Sequence, residues 1–145
     1  MVLTAMQRLG LPAIQAQTQP RDKTLVNFDT IFYARPQTVT RTVTLLGRRV
    51  TIAATAESFT WHYGDGTSTT TSEPGAPYPA KDVVHRYRTA YVTVQPSVDV
   101  NYSGRFRVGG GAWQTIPGTV TIAGPPATLR VSEATAVLSG DYSRS

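Results

Sequence analysis

Residues 61–66 read Trp-His-Tyr-Gly-Asp-Gly, and this stretch is the most informative feature of the chain. It is typical of a β-strand that ends abruptly in a tight turn. Trp61 and Tyr63 share one face of that strand, because strand side chains alternate between faces. The two glycines can adopt the positive φ that a tight turn needs. Asp65, between them, is placed to accept hydrogen bonds from nearby backbone N–H groups. The stretch therefore predicts two aromatic rings facing a core, followed by a turn that a carboxylate holds.

A second part of the pattern follows further along the chain, where residues 85–87 read His-Arg-Tyr. Together the two stretches resemble the signature of the PKD (polycystic kidney disease) domain. The matching residues are Trp61, Tyr63, Gly64, Asp65, Gly66, His85 and Tyr87. The resemblance covers roughly residues 28–122 and implies an immunoglobulin-like β-sandwich that serves as a spacer or contact surface. It also implies a structural role for His85 and Tyr87, whose polar tips would lie against backbone near the turn.

The rest of the chain supports an all-β sandwich. Apolar residues alternate with threonine over residues 39–45 and alternate again over residues 50–56, with Gly47 turning the chain between them. The inward positions change from even to odd numbers between Ala56 and Phe59, which requires a β-bulge. The apolar residues of 92–108 are even-numbered, and Pro96 and Gly104 interrupt the alternation. The pattern predicts either one long edge strand or two strands joined at a kink.

Other segments predict less regular structure. Residues 67–82, which contain three prolines and many hydroxyl side chains, are expected to form a long loop. The chain divides into an N-terminal short helix and extended arm (1–23), a sandwich (24–139) and a C-terminal tail (140–145). The helix is predicted at about residues 2–9, and the last strand at about residues 128–138. The arm is expected either to pack against its own domain or to dock on another chain.

The composition excludes several classes of protein. The chain has no cysteine, so it has no disulfide and no thiolate metal site. Its net charge of +5 comes from scattered cations, mostly arginine, whereas nucleic-acid binding favours a stripe or cluster. Neither a membrane span nor a signal peptide is visible, so a signal or anchor of an exported protein would have been removed. The chain also resembles small PKD-containing exported proteins of actinobacteria, which implies a secreted or cell-surface location.

No constellation in the sequence points to catalysis. The two histidines, His62 and His85, have no base or nucleophile partner at a recognisable spacing, and Gly-x-Ser-x-Gly is absent. Asp65 with Asp82 or Glu73 supplies too few carboxylates for a calcium site. We therefore expect a protein that is not an enzyme and that has no metal or cofactor.

Three aromatic residues outside the expected core, Tyr78, Tyr91 and Trp113, form a candidate contact surface. The expected function is a spacer or a module that contacts a protein or a cell-wall glycan at the cell surface. One alternative is a structural subunit of a bacterial surface filament or other homo-assembly, with self-association through the N-terminal arm. The other is a carbohydrate-binding accessory module that uses these exposed aromatic rings.

Overall fold

The computed structural model describes residues 1–133, and β-strands dominate this part of the chain. One helix, α1, spans Val2–Gln7 as the apolar spacing predicts. The strands are β1 (Gln17–Gln19), β2 (Lys23–Leu25), β3 (Thr30–Tyr33), β4 (Val39–Leu45), β5 (Arg48–His62), β6 (Ser68–Thr71), β7 (Val84–His85), β8 (Val92–Val94), β9 (Ser97–Val108), β10 (Gln114–Thr115), β11 (Val120–Ala123) and β12 (Leu129–Ser132). The prediction of an all-β fold with a short N-terminal helix is confirmed.

The strands form one large sheet and two small ones. The large sheet has the order β10-β9-β5-β4, with β11 also paired to β9 and β6 also paired to β5. The small sheets have the orders β1-β3-β7 and β2-β12-β8. Side chains from all three sheets meet in one buried cluster, so the small sheets together cover the inner face of the large sheet. This arrangement is a β-sandwich.

β5 is the central strand of the large sheet and pairs with β9 over nearly its whole length. The pairing slips between Ala56 and Ser58, where β5 gains one residue relative to β9. Val50 and Ile52 are buried before this bulge, and Phe59 and Trp61 are buried after it. The predicted bulge is confirmed, and it turns both halves of the strand toward the core.

The hairpin between β4 and β5 closes with the two-residue turn that Gly47 predicts. Leu45 pairs with Arg48, and both turn residues have positive φ, +50° at Leu46 and +76° at Gly47. A turn with two positive-φ residues has a backbone twist that matches the right-handed twist of the flanking strands. Leu46 is 85% exposed, so its side chain contributes little to the core.

Residues 92–108 form two strands in different layers, and the alternative of one long edge strand is wrong. β8 pairs with β12 in a small sheet, whereas β9 lies inside the large sheet between β5 and the pair β10 and β11. Pro96 lies between β8 and β9 and is buried. Because proline cannot donate a ladder hydrogen bond, it occurs where the chain leaves one sheet and enters the other.

The prediction of a loop over residues 67–82 is wrong for its first part, since β6 pairs with the end of β5. Three threonines of β6 hydrogen-bond to β5 or to the aromatic residue after it. Thr71 Oγ1 accepts from Trp61 Nε1 at 2.9 Å, Thr69 Oγ1 lies 2.6 Å from the Tyr63 hydroxyl, and Thr70 Oγ1 lies 3.0 Å from Thr60 Oγ1. These bonds, together with the strand propensity of threonine, outweigh the loop-like composition.

The N-terminal segment lies on the sandwich and contributes to its core. Met6, Leu11, Ile14 and Ala16 are buried in the same cluster as the sheet residues. The Tyr102 hydroxyl donates to the Pro12 carbonyl at 2.7 Å, which ties the segment to β9. Residues 1–23 therefore pack against the same chain. At the other end, β12 lies within the strand predicted at about residues 128–138 and ends at Ser132. The part of that prediction after residue 133 and the tail (140–145) lie outside the described residues.

We expect Gly124→Ala to lower the free energy of unfolding by about 1–3 kcal/mol. A methyl group at this position would collide with the backbone carbonyls of Ile14 and Val98, which neither segment can easily move. Gly110→Ala is the matched control, because it has open space and its change should stay within about 0.5 kcal/mol. Urea unfolding of both variants measures the difference. Equal stabilities would contradict the close contact between the N-terminal segment and the β9–β11 region.

Candidate functional site

The turn after β5 is built as the sequence predicts. Gly64 and Gly66 have φ values of +86° and +88°. Gly64 also lies so close to the neighbouring chain that an added Cβ would come within 2.9 Å of the Gln95 backbone nitrogen. Position 64 therefore requires glycine for two separate reasons, its backbone conformation and its space.

Asp65 uses both carboxylate oxygens to hold this turn. Oδ1 accepts hydrogen bonds from the Thr67 backbone N–H, at 3.1 Å, and from the Thr67 hydroxyl. Oδ2 lies 2.7 Å from His85 Nε2. Burial raises the pKa of Asp65, but the hydrogen bonds from Thr67 and His85 outweigh it, so the pKa lies below its ordinary value. The carboxylate is thus stabilised as an anion inside the fold.

His85 completes a cluster with Tyr63, Asp65 and Tyr87, which we call the aromatic–aspartate cluster. Its ring stacks on Tyr63 with centroids 4.0 Å apart and planes 3° from parallel. The Tyr87 ring meets it edge-on at 4.8 Å. The Tyr87 hydroxyl donates to the Tyr63 carbonyl at 2.7 Å. The polar tip of Tyr87 lies against backbone, while that of His85 lies against the Asp65 carboxylate.

The two tyrosines of the cluster remain neutral. Burial raises the pKa of Tyr63, and the nearby Asp65 charge raises it further. Burial, followed by the same carboxylate, raises the pKa of Tyr87 strongly. Neither hydroxyl is therefore prepared to act as a phenolate base. Each serves as a hydrogen-bonding group that fixes β5 and its neighbours.

A small cleft of about 270 Å³ opens beside the cluster. It is lined by Asp65, Thr67, His85, Arg86, Tyr87, Arg88, Thr89, Val92 and Val94. A nucleophile–base pair needs a hydroxyl or thiol within hydrogen-bond reach of the histidine. Within residues 1–133, His85 Nε2 bonds to Asp65, and the Thr67 hydroxyl donates to the same carboxylate. Three of the polar side chains that line the cleft, Asp65, Thr67 and His85, thus brace the turn.

The remaining residues of the two stretches take separate roles. Trp61 is fully buried on the same side as Tyr63, as the alternation predicts. His62 lies on the opposite face, where Nε2 is 2.9 Å from Asp99 Oδ2 on β9. The two histidines of the chain thus bond to different carboxylates.

The three candidate contact residues do not form one surface. Tyr78 is 71% exposed and its backbone N–H donates to Gln19 Oε1 at 2.6 Å, next to β1. Tyr91 is 65% exposed, and its hydroxyl donates to Glu133 at 2.7 Å. Trp113 is 37% exposed and follows the glycine turn after β9. Each ring belongs to a different part of the sandwich, so a single aromatic platform is not present among the described residues.

Trp113 lies beside two arginines of β9. The guanidinium groups of Arg105 and Arg107 lie 4.6 and 4.9 Å from the centroid of its ring. Arg107 Nε is buried and has no hydrogen-bond partner within residues 1–133. The cation–π attraction of the indole offsets part of the cost of burying that nitrogen.

Sequence reasoning missed three partners of the cluster. Phe32 on β3 meets Tyr63 edge-on at 5.0 Å and Trp61 at 6.3 Å, joining the two layers. Thr67 and Thr69 supply hydroxyl groups to Asp65 and Tyr63. Phe32 stands in a strongly apolar strand, which is a signal for burial but not for this contact. The threonines gave no signal, because they stood in the expected loop.

The chain matches no protein-family model, no curated protein and no solved structure. Within residues 1–133 no three histidine or carboxylate side chains gather as a metal site. The same residues form no helix with the length and hydropathy that a membrane crossing requires. The geometry of the site is therefore the basis for a functional proposal.

We expect Asp65→Asn to lower the free energy of unfolding by about 1–2 kcal/mol at neutral pH, because charge-assisted hydrogen bonds are lost. Folding lowers the pKa of Asp65 from its ordinary value of 3.8. The stabilisation is therefore present above that value and disappears as the pH falls through the lower value of the folded state. The difference between wild type and variant should shrink below about pH 4.

Urea unfolding at a series of pH values measures this effect, with Asp82→Asn as the matched control. Asp82 is exposed and has no ion pair within residues 1–133, so its replacement should change stability by less than about 0.5 kcal/mol at any pH. A constant gap between the wild type and Asp65→Asn down to strongly acidic pH would show that the carboxylate charge has no part in holding the turn.

Proposed function

We propose that this protein is a non-enzymatic module of the PKD type that acts outside the cytoplasm as a spacer or contact domain. The observation that supports this most directly is the aromatic–aspartate cluster. Its members stand at the positions of the PKD signature, and their polar atoms bond to one another or to the adjacent turn. In this proposal the histidine and the aspartate brace a turn.

The sandwich has properties that suit a spacer. Its core is continuous from the N-terminal segment to β12, so bending would require breaking buried contacts. Its outer surface carries the threonines of β4 and several arginines, which provide polar contacts. A protein or an anionic cell-wall glycan is the kind of partner that a net charge of +5 favours.

Location in the cell is the decisive test of this proposal. We expect the full gene product, expressed with an epitope tag in its source organism, to appear in the envelope or culture-medium fraction. Protease added to intact cells should degrade it while leaving a cytoplasmic marker protein intact. Recovery only in the cytoplasmic fraction, protected from protease until lysis, would overturn the proposal.

Homo-assembly is a separate alternative, and it can be tested with the same purified protein. Self-association through the N-terminal arm would require Met6, Leu11 and Ile14 to leave the core of their own chain. That exchange exposes apolar surface before a neighbour covers it, which disfavours it in dilute solution. We expect size-exclusion chromatography with light scattering to give a monomer over a wide concentration range. A concentration-dependent oligomer would favour the filament alternative.

A further inference from the structure

β4 is an edge strand of the large sheet with unused backbone hydrogen-bonding groups. Along an antiparallel strand, the backbone groups of successive residues point alternately to one neighbour and to the other. The two-residue turn after Leu45 and the hydrogen bond from the Gly109 N–H to the Arg49 carbonyl show which residues point which way. The backbone groups of Arg49 bond to β9, so those of the even-numbered residues of this part of β5 bond to β4. Their partners on β4 are Val39, Arg41, Val43 and Leu45. The N–H and C=O groups of Thr40, Thr42 and Thr44 therefore point away from the sheet. Within residues 1–133 no strand pairs with this edge.

An exposed edge of seven residues is long enough to accept another strand, and most proteins protect such edges. Here Arg41 provides partial protection. It occupies an inward position of β4, yet it is exposed, and its guanidinium donates to the Thr40 carbonyl at 3.1 Å. The charge therefore lies along the free edge itself. It disfavours pairing with a second β4, because a second copy would bring another arginine beside it.

The charges around the edge favour an acidic partner. Residues 30–56 contain four arginines and no aspartate or glutamate. Within residues 1–133, the arginines of the hairpin, Arg41, Arg48 and Arg49, form no ion pair with a carboxylate. A strand with glutamate or aspartate on its inward face would place a carboxylate next to Arg41.

The end of β4 provides an apolar surface for a strand added to this edge. A hollow of about 310 Å³ lies there, lined mainly by Leu45, Leu46, Phe106 and Val108 together with Met1 and Val2 of the N-terminal segment. Val43 and Leu45 are only half-buried. An added strand would bring its next inward side chain over this apolar surface, where burial is favourable.

We propose that the free edge of β4 binds an extended acidic peptide segment of another protein, added antiparallel to the large sheet. Backbone hydrogen bonds to Thr42 and Thr44, and to Thr40 once Arg41 releases the Thr40 carbonyl, supply affinity. The side chains on the inward face supply specificity. A carboxylate next to Arg41 and an apolar residue near Leu45 define the preferred sequence. This inference specifies the partner of the contact module proposed above, but its test does not depend on cell location.

The probe is a fluorescent eight-residue peptide, Thr-Leu-Thr-Val-Thr-Glu-Thr-Glu, added to the full chain and followed by anisotropy. In an antiparallel pair its sixth residue, a glutamate, lies opposite Arg41, and its second residue, a leucine, lies opposite Leu45. We expect saturable binding that is absent for the same peptide with lysine in place of glutamate. We also expect loss of binding when the threonine amides are N-methylated, because those amides would face β4 in an antiparallel pair. No binding at about 1 mM peptide would reject the proposal, since such affinity is too weak to specify a partner.

Two variants of the protein distinguish strand addition from general attraction of charges. Arg41→Gln should weaken binding about two- to fivefold, the size expected for an exposed ion pair. Thr42→Pro should weaken it about fivefold or more, because it removes an N–H that points away from β5 while leaving the β4–β5 ladder intact. Arg130→Gln on β12 is the control of equal charge and should bind as the wild type does.

Three further results would overturn the proposal. The first is that Arg41→Gln and Arg130→Gln weaken peptide binding equally. The second is that the N-methylated peptide binds as well as the unmodified one, and the third is that light scattering shows a β4-dependent dimer that Arg41→Gln strengthens. The last result would assign the edge to a second copy of this chain. Thermal unfolding of each variant ensures that a lost affinity is not a lost fold. Failure of peptide binding would reject this proposal alone. The envelope location, and with it the proposed class of function, is tested separately by fractionation.

Discussion

The bulge in β5 is the constraint on which the sandwich depends. A strand of regular alternation presents one face to the core throughout, and a single-residue shift moves every later side chain to the other face. Without the slip between Ala56 and Ser58, Trp61 would point outward if Ile52 pointed inward. The extra residue places both on the core side, so one long strand can line the whole length of the inner layer.

The aromatic–aspartate cluster follows from that placement. Once Tyr63 faces inward at the end of β5, its ring can stack on His85 and its carbonyl can accept from Tyr87. His85 in turn reaches the Asp65 carboxylate of the following turn. The bonds join residues on β5, in the turn and in the β7 region, and so connect the large sheet to the small sheet that contains β7. A network of this kind gives a defined arrangement of the two layers at one end of the sandwich.

The outer surface of the large sheet has a different character. Its edge strand β4 has threonines on one face and a guanidinium along the free backbone groups, and the adjacent hairpin has no acidic residue. Charge and unused hydrogen-bonding groups therefore occur together at one edge. Their combination distinguishes that edge from the shorter terminal strands β1 and β10, which span three and two residues. A binding role is more easily placed there than in the cleft beside His85, where the Asp65, Thr67 and His85 side chains bond to one another.

The all-β class, the bulge, the β4–β5 turn and the glycine-flanked turn at Asp65 could be predicted from the sequence. These features depend on residues close together in the chain, where alternation and the backbone freedom of glycine act locally. Three other features are seen only in the tertiary structure. β8 and β9 belong to different layers, Ser68–Thr71 form a strand, and the N-terminal segment lies in the core. The same is true of Phe32 beside Tyr63 and of the free edge of β4. These depend on which distant segments become neighbours, and local periodicity does not contain that information.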